Sequence, residues 1–365
     1  MSDWHTLTLG EVATLQRGFD LPQRLRRRGN IPIVSSAGVS DYHNTAMVDP
    51  PGVVTGRYGT IGELFFVDEP FWPLNTTLYV RDFHGNDPLF IYYHLQRFNF
   101  AAFSGKSGVP GVNRNDLHSE TVTLPVDIEE QRAIATALSD VDGLLGGLDR
   151  LISKKRDLKQ AAMQQLLTRK SRLPGYHEEW EVKQLGKISK IAIGRTPLRL
   201  NKALWGHGHK WLSIADLQAK VVCDSNEEIT ELAAATMAIV PKGTLLMSFK
   251  LSIGRLCFAG CDLFTNEAIC SFGKLQADPE YLYYALGRID FSHYGKQAVK
   301  GYTLNKESLK TIEFCLPHPS EQNAIAEVLT DMDEELAALE QRRDKTRALK
   351  QAMMQELLTG RTRLV

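Results

Sequence analysis

Two stretches of the chain carry apolar residues at spacings that alternate between four and three. In the first these are Ile134, Leu138, Val141, Leu145, Leu148 and Ile152; in the second they are Ile325, Leu329, Met332, Leu336 and Leu339. A seam of this period predicts long helices that pair side by side. Further along, the apolar positions read as Leu158, Ala162 and Leu166 in one stretch and Leu349, Met353 and Leu357 in the other, the shift a stutter would cause. Neither stretch contains proline. About 40 helical residues at about 1.5 Å each predict rods on the order of 60 Å long. Pro125 and Asp127, with Glu130 three residues on, start the first helix; Pro317, Pro319 and Ser320 start the second, and Pro174-Gly175 stops the first.

The two stretches are copies. Residues 130–173 and 321–364 align without a gap at a spacing of about 191 residues, and roughly half the aligned positions are identical, including the block LKQ-A-x-MQ-x-LLT. A period covering half a chain dictates its architecture. The preceding segments are related more loosely: W-x4-LG-x7-G recurs at Trp4–Gly18 and Trp180–Gly194, DPLFIYYHLQRFNF at 87–100 parallels DPEYLYYALGRIDF at 278–291, and Leu124-Pro125 parallels Leu316-Pro317. Between these anchors the halves diverge almost completely. The plan is a variable globule (1–124), a shared helix (125–173), a second variable globule (174–315) and the second shared helix (316–365).

Charge decides how the helices pair. Asp127, Glu129, Glu130, Asp140, Asp142 and Asp149 dominate the first half of the first helix, whereas Arg150, Lys154, Lys155, Arg156, Lys159, Arg169, Lys170 and Arg172 dominate its second half. The second helix has the same polarity. Such a gradient suits each helix's own dipole. A parallel pair would nevertheless set like charges together, and an antiparallel pair sets opposite ones together. The expectation is an antiparallel intramolecular coiled coil with a pseudo-twofold internal repeat, preferred over two surface helices that each pack on their own globule because the seam is too long for that. The globules mix short β-branched or aromatic runs with one helix each (FIYYHLQRF and YLYYALGRI), which makes the fold class mixed α/β.

Composition narrows the function classes. At 365 residues, 43% hydrophobic and 24% charged, the chain is ordinary globular protein, and no apolar run approaches the about 20 residues that span a bilayer. The first residues lack the pattern of an export signal, so the cytoplasm is the expected compartment. Lys+Arg and Asp+Glu balance at 43 each. Any nucleic-acid binding must therefore be local. The five cysteines (Cys223, Cys257, Cys261, Cys270 and Cys315) form no CxxC pair and read as reduced, mostly buried thiols; a zinc set of Cys257, Cys261 and His207 or His209 lacks the usual paired spacing, so no metal is expected.

Catalytic motifs fail when tested by their mechanics. Asp49-Pro50-Pro51-Gly52 has the outline of an amino-methyltransferase tetrapeptide, but glycine replaces the aromatic that stacks on the target base. Gly105-Lys106-Ser107 ends like a phosphate loop, but Phe100 stands where its first glycine belongs. No HExxH, nucleophile elbow or convincing nuclease cluster is present. Basic and polar loops remain. The first globule has Arg24, Arg26, Arg27 and Arg28, then Arg57-Tyr58 in a glycine-rich hairpin, then Lys106, Asn113 and Arg114; the second has Arg195, Arg199, Lys202 and Lys250, then Lys296, Gln297, Lys300, Tyr302 and Asn305. These residue types grip phosphates and read base edges, and corresponding loops of both halves carry them.

Together these residues resemble the specificity subunit of a type I restriction-modification system. The resemblance covers nearly the whole chain: W-x4-LG-x7-G opening each half, a hydrophobic hairpin (Val53–Gly62 and Thr244–Gly254), Asn75 and Asn266 after it, a Leu-Pro…EQ-x-x-IA helix start and an LKQ-A-x-MQ-x-LLT helix end. Leu124–Ile128 is one residue longer than Leu316–Ser320. The resemblance implies two target recognition domains, each reading half of an interrupted DNA site, and helices that fix their distance and dock two methyltransferase subunits. It implies a chain that is itself no enzyme and holds no cofactor. S-adenosylmethionine, ATP and Mg would belong to methyltransferase and restriction subunits. A specificity subunit for a combined nuclease-methyltransferase polypeptide would share nearly every feature. An autonomous two-headed DNA-binding regulator would need to hold DNA unaided, against which the neutral net charge argues.

Overall fold

The computed structural model describes residues 3–103, 111–250, 252–294, 296–298 and 301–364. It divides into two compact units, one built from 1–151 with 339–365 and the other from 152–338. Each unit therefore contains one globule, half of one long helix and half of the other.

Within the first unit, strand Trp4–Thr8 pairs antiparallel with Thr121–Pro125 and brings the two ends of the globule together. A four-stranded sheet follows the order Thr14–Arg17, Thr77–Asp82, Gly52–Gly56, Leu64–Val67. A smaller sheet of Gly38–His43, Ile31–Ser35 and Trp72–Pro73 lies beside it in sequence. The second unit repeats the plan: Glu181–Gln184 pairs with Glu313–Leu316, and Lys190–Ile193, Ile269–Gly273, Leu245–Ser248 and Leu256–Ala259 follow the same order, extended by Val221–Val222. The sheets thus keep a correspondence that the sequences between the anchors have lost. Gly18 and Gly194 show why those anchors persist, since a Cβ at either would collide with the carbonyl of Leu74 or of Thr265.

Helices Pro88–Leu95 and Pro279–Gly287 cover the two sheets. Each begins with Pro at the first turn and an aspartate cap: Asp87 accepts from the Phe90 N–H at 2.9 Å and Asp278 from the Tyr281 N–H at 2.8 Å. Asp87→Ala and Asp278→Ala are each expected to cost about 1 kcal/mol in chemical denaturation; a loss near zero would mean that the caps contribute nothing.

The long helices run Ile128–Leu166 and Pro319–Leu357. Their pairing is antiparallel in both units, as the charge gradient requires. In the first unit Glu130 meets Arg363, Asp142 meets Lys350 (2.7 Å) and Asp149 meets Arg343 (3.9 Å). In the second Arg172 meets Glu321 (2.6 Å), Lys159 meets Asp333 and Lys155 meets Glu335 (2.6 Å). Ile134, Leu138, Ile325 and Leu329 are at most 1% exposed; Leu148 and Leu336 are buried, and Leu145 and Leu339 half-buried.

The expected stutter is absent. Leu158 and Leu349 are 47% and 55% exposed, so neither belongs to the seam. The alternation of four and three continues instead through Lys155, Lys159, Ala162 and Leu166, and through Arg343, Thr346, Lys350, Met353 and Leu357, all buried or half-buried. Apolar pattern alone missed Lys155, Lys159, Arg343, Thr346 and Lys350 because polar residues occupy those positions, the ion-paired lysines and arginine burying their stems and presenting their charges to the partner helix. Polar residues inside a seam fix register and direction.

A second correction concerns Glu130. Rather than closing a capping box, it is fully buried and takes Nε and Nη2 of Arg363 together with the Trp4 indole. Asp127 alone caps, accepting from the Glu129 N–H at 2.9 Å. In the second unit Glu321 does the same, accepting from the Trp180 indole at 2.9 Å and from Arg172 at 3.0 and 2.6 Å. The neighbouring Gln131 accepts from the Asp87 N–H and donates to the Pro125 carbonyl; Gln322 repeats both bonds at Asp278 and Pro317. The EQ pair of the duplicated sequence is thus a latch tying globule to helices. A further duplicated contact joins Tyr93 and Lys350 on Asp142, and Tyr284 and Lys159 on Asp333.

Candidate nucleic-acid interface

The Arg57 hairpin of the first unit is held by backbone. The N–H groups of Arg57 and Tyr58 both donate to the Thr76 carbonyl, at 2.8 and 3.2 Å, and the Arg57 carbonyl accepts from Val112 at 3.0 Å. With the backbone tied on both sides, the Arg57 guanidinium lies 4.6 Å from the centroid of the Tyr58 ring. Gly111 packs against that ring so closely that a Cβ would collide with it.

Arg57 and Arg114 line one concavity of about 380 Å³, with Leu78 and Val112 as buried apolar lining and Asn113 and Asn115 beside them. Arg17, which the pattern of basic loops did not single out, lines it too. The signal for Arg17 was available: it stands one residue before the Gly18 anchor, where the second half has Ile193. Its guanidinium pairs with Asp20 at 3.2 Å, an exposed contact of little strength.

Other candidates carry structural duties. Asn113 and Asn305 are helix caps, accepting from the Asn115 and Ser308 N–H groups, and Asn113 also donates to Asp116. Arg26 bonds Asp41 at 2.9 Å and holds that carboxyl below its usual range, whereas Arg24 is exposed in a short turn. Lys106 and Lys300 lie outside the described residues. Lys296 and Gln297 belong to a two-stranded ribbon, Lys296–Ala298 with Gly301–Thr303.

In the second unit, Arg199 is exposed but engaged. It bonds Glu227 at 2.5 and 3.0 Å, and its guanidinium lies 4.0 Å from the Trp205 ring centroid and 4.9 Å from that of Trp211. Hydrogen bonding to Glu227 raises the guanidinium above its ordinary pKa. Arg195 is exposed, its backbone tied to Thr265 and to the Trp211 indole. Lys250 is half-buried, 5.5 Å from the centroid of the Phe249 ring. His207 and His209 pair with Glu228 and Glu231, and no metal-binding group of three donors occurs among the described residues. Burial pushes the Cys257 thiol up to about 12 and raises that of Cys270 as well, which keeps both protonated.

Comparison with known proteins gives one consistent result. A family model described as type I restriction modification DNA specificity domain matches residues 1–152 and 177–347. A putative type I restriction enzyme MjaX specificity subunit from Methanocaldococcus jannaschii is 26% identical over 302 residues, covering 76% of this chain and 69% of the relative. The type I restriction-modification S subunit from M. genitalium has a similar fold, with a TM-score of 0.67 at 17% identity over 98% of this chain and 96% of that one. A chain from a structure of complex assembly and conformational transition in a type I system has a TM-score of 0.59 at 17% identity, covering 97% of each chain.

Proposed function

The chain belongs to the type I restriction-modification DNA specificity family, and from that premise we propose that each of its units reads one half of an interrupted DNA target. It is a specificity subunit, the DNA-recognition and non-catalytic component of its system. The observation that carries the two-reader proposal is the contrast within each unit: the latch of Trp, Glu, Gln and Arg recurs residue for residue, while the loops on the sheets differ in chemistry. A shared frame suits a shared partner, and unlike loops suit unlike half-sites. Two equivalent frames accommodate two methyltransferase subunits, with restriction subunits completing the complex. S-adenosylmethionine, ATP and Mg are assigned to those partners, and the cytoplasm is the proposed compartment. No helix among the described residues is long and apolar enough to cross a membrane.

Replacing residues 2–123 with the matching segment of a relative tests the proposal. Methylome sequencing should show one half of the target changed and the other retained. A change in both halves would overturn the two-reader arrangement.

A further inference from the structure

We infer that the concavity lined by Arg17, Arg57 and Arg114 is a seat for one backbone phosphate of the DNA, present in the first unit and missing from the second. The inference rests on the DNA-recognition reading and goes further by naming the group bound and the residues that bind it.

Three arginines line one concavity of about 380 Å³, and among the described residues its lining contains no carboxylate. Cations brought together in this way repel one another until an anion lies among them, and a guanidinium fork matches the oxygens of a phosphate. Asn113 does not compete as a base reader, because its oxygen caps a helix and its amide donates to Asp116. The lining is consequently dominated by donors, which suits a phosphate better than a base edge presenting both donors and acceptors. Arg57 has its backbone tied to Thr76 and Val112 and its guanidinium against Tyr58. Asp20 is the competitor at Arg17, and it is an exposed carboxylate that a phosphate can displace.

The duplication supplies the comparison. In the second unit Phe249 makes the backbone bonds that Arg57 makes, to Ala268 at 3.0 Å and from Leu304 at 3.3 Å, so Phe249 is the structural counterpart of Arg57. It is 1% exposed. The strand positions match as well: Leu15–Arg17 pairs within Thr77–Asp82 as Ile191–Ile193 pairs within Ile269–Gly273, which puts Ile193 in the place of Arg17. Only Lys306 keeps a positive charge, in the place of Arg114. At these three positions the frame therefore carries three arginines in one unit and a single cation in the other, while Lys250, beside Phe249, stands where the first unit has Tyr58.

The test uses the specificity subunit assembled with its methyltransferase partners and a duplex bearing its target, in an anisotropy titration over a series of salt concentrations. Arg57→Gln is expected to weaken binding about tenfold, as loss of a charge-assisted hydrogen bond would. It should also flatten the dependence of log K on log salt by about 0.9, the contribution of one phosphate contact. Arg57→Lys should restore the salt slope, and methylome sequencing should return the parental target for both variants. An unchanged affinity and slope in Arg57→Gln would remove the phosphate from this concavity. An altered base in the first half-site with the slope retained would make Arg57 a base reader and overturn the inference. Neither result touches the two-reader proposal, which fails only if the parental complex reads no bipartite target or if globule replacement changes both halves.

Discussion

Arg363→Ala is expected to loosen the N-terminal globule, more than 200 residues away in sequence, and to leave the unit formed by 152–338 intact. Arg363 is the partner of Glu130, whose side chain has no exposure to solvent. Without the guanidinium the carboxylate stays buried and loses its ion-pair partner Arg363, at a cost of about 3–5 kcal/mol. Glu130→Gln should cost less, because a neutral amide can still meet the Trp4 indole while Arg363, 27% exposed, turns toward water. The mirror variants Arg172→Ala and Glu321→Gln should loosen the second unit in the same rank order. Hydrogen exchange resolved by peptide is the measurement. In Arg363→Ala, protection should fall across 3–103 and 111–151 and persist across 152–338. A uniform fall over both units would show that the latch is not local.

Acid should destabilise the first unit before the second. His94 is 3% exposed, has an Nδ1 atom with no hydrogen-bond partner, and burial lowers its pKa to about 3. His118, lowered mainly by burial as well, accepts the Leu15 N–H on Nε2 at 2.8 Å and so must be neutral there. An unfolded histidine takes up a proton near pH 6.5, whereas these folded ones resist it. The unfolded state then binds more protons, and stability falls as pH drops below about 6.5, by about 1.4 kcal/mol per pH unit for a histidine that stays neutral. For His94 alone the loss between pH 7 and pH 5 is about 2 kcal/mol. In the second unit Ala285 and Lys310 stand at the corresponding positions, so neither carries this liability. His94→Phe, placed between the neighbouring rings of Phe90 and Phe98, should flatten the acid limb in denaturant melts recorded from pH 7.5 to pH 5. An unaltered pH dependence would show that His94 protonates freely in the fold.

The sequence was most legible where the duplication spoke twice. Glu130 and Glu321, Asp142 and Asp333, Lys159 and Lys350, and Arg172 and Arg363 are identical pairs of the alignment, and each takes part in a contact between the helices. Charge polarity gave the direction of pairing because an antiparallel ladder needs only the order of signs along each rod. Hydrophobic period was less informative in the distal halves. There lysine, arginine and threonine hold seam positions while Leu158 and Leu349 face water, and a scan for apolar residues follows the leucines. The loops were least legible. Whether an arginine is available depends on what folding brings beside it: Glu227 and two indoles engage Arg199, Asp41 takes Arg26, and Arg17, Arg57 and Arg114 line one concavity. Asp41 and Glu227 stand 15 and 28 residues from the arginines they pair with.

The division of the chain also orders its manufacture. Residues leave the ribosome from the N-terminus, and domains ordinarily fold as they emerge. Here the first globule belongs to the unit needing 339–365, which is translated after 152–338, while the unit of 152–338 has all its parts once Ala338 is out. The first globule must therefore wait with Glu130 and the apolar faces of Ile134 and Leu138 unmatched until Arg363 has emerged. A stalled or truncated nascent chain would hold a finished second unit and an open first one, exposing helix surface that the completed protein never shows to water.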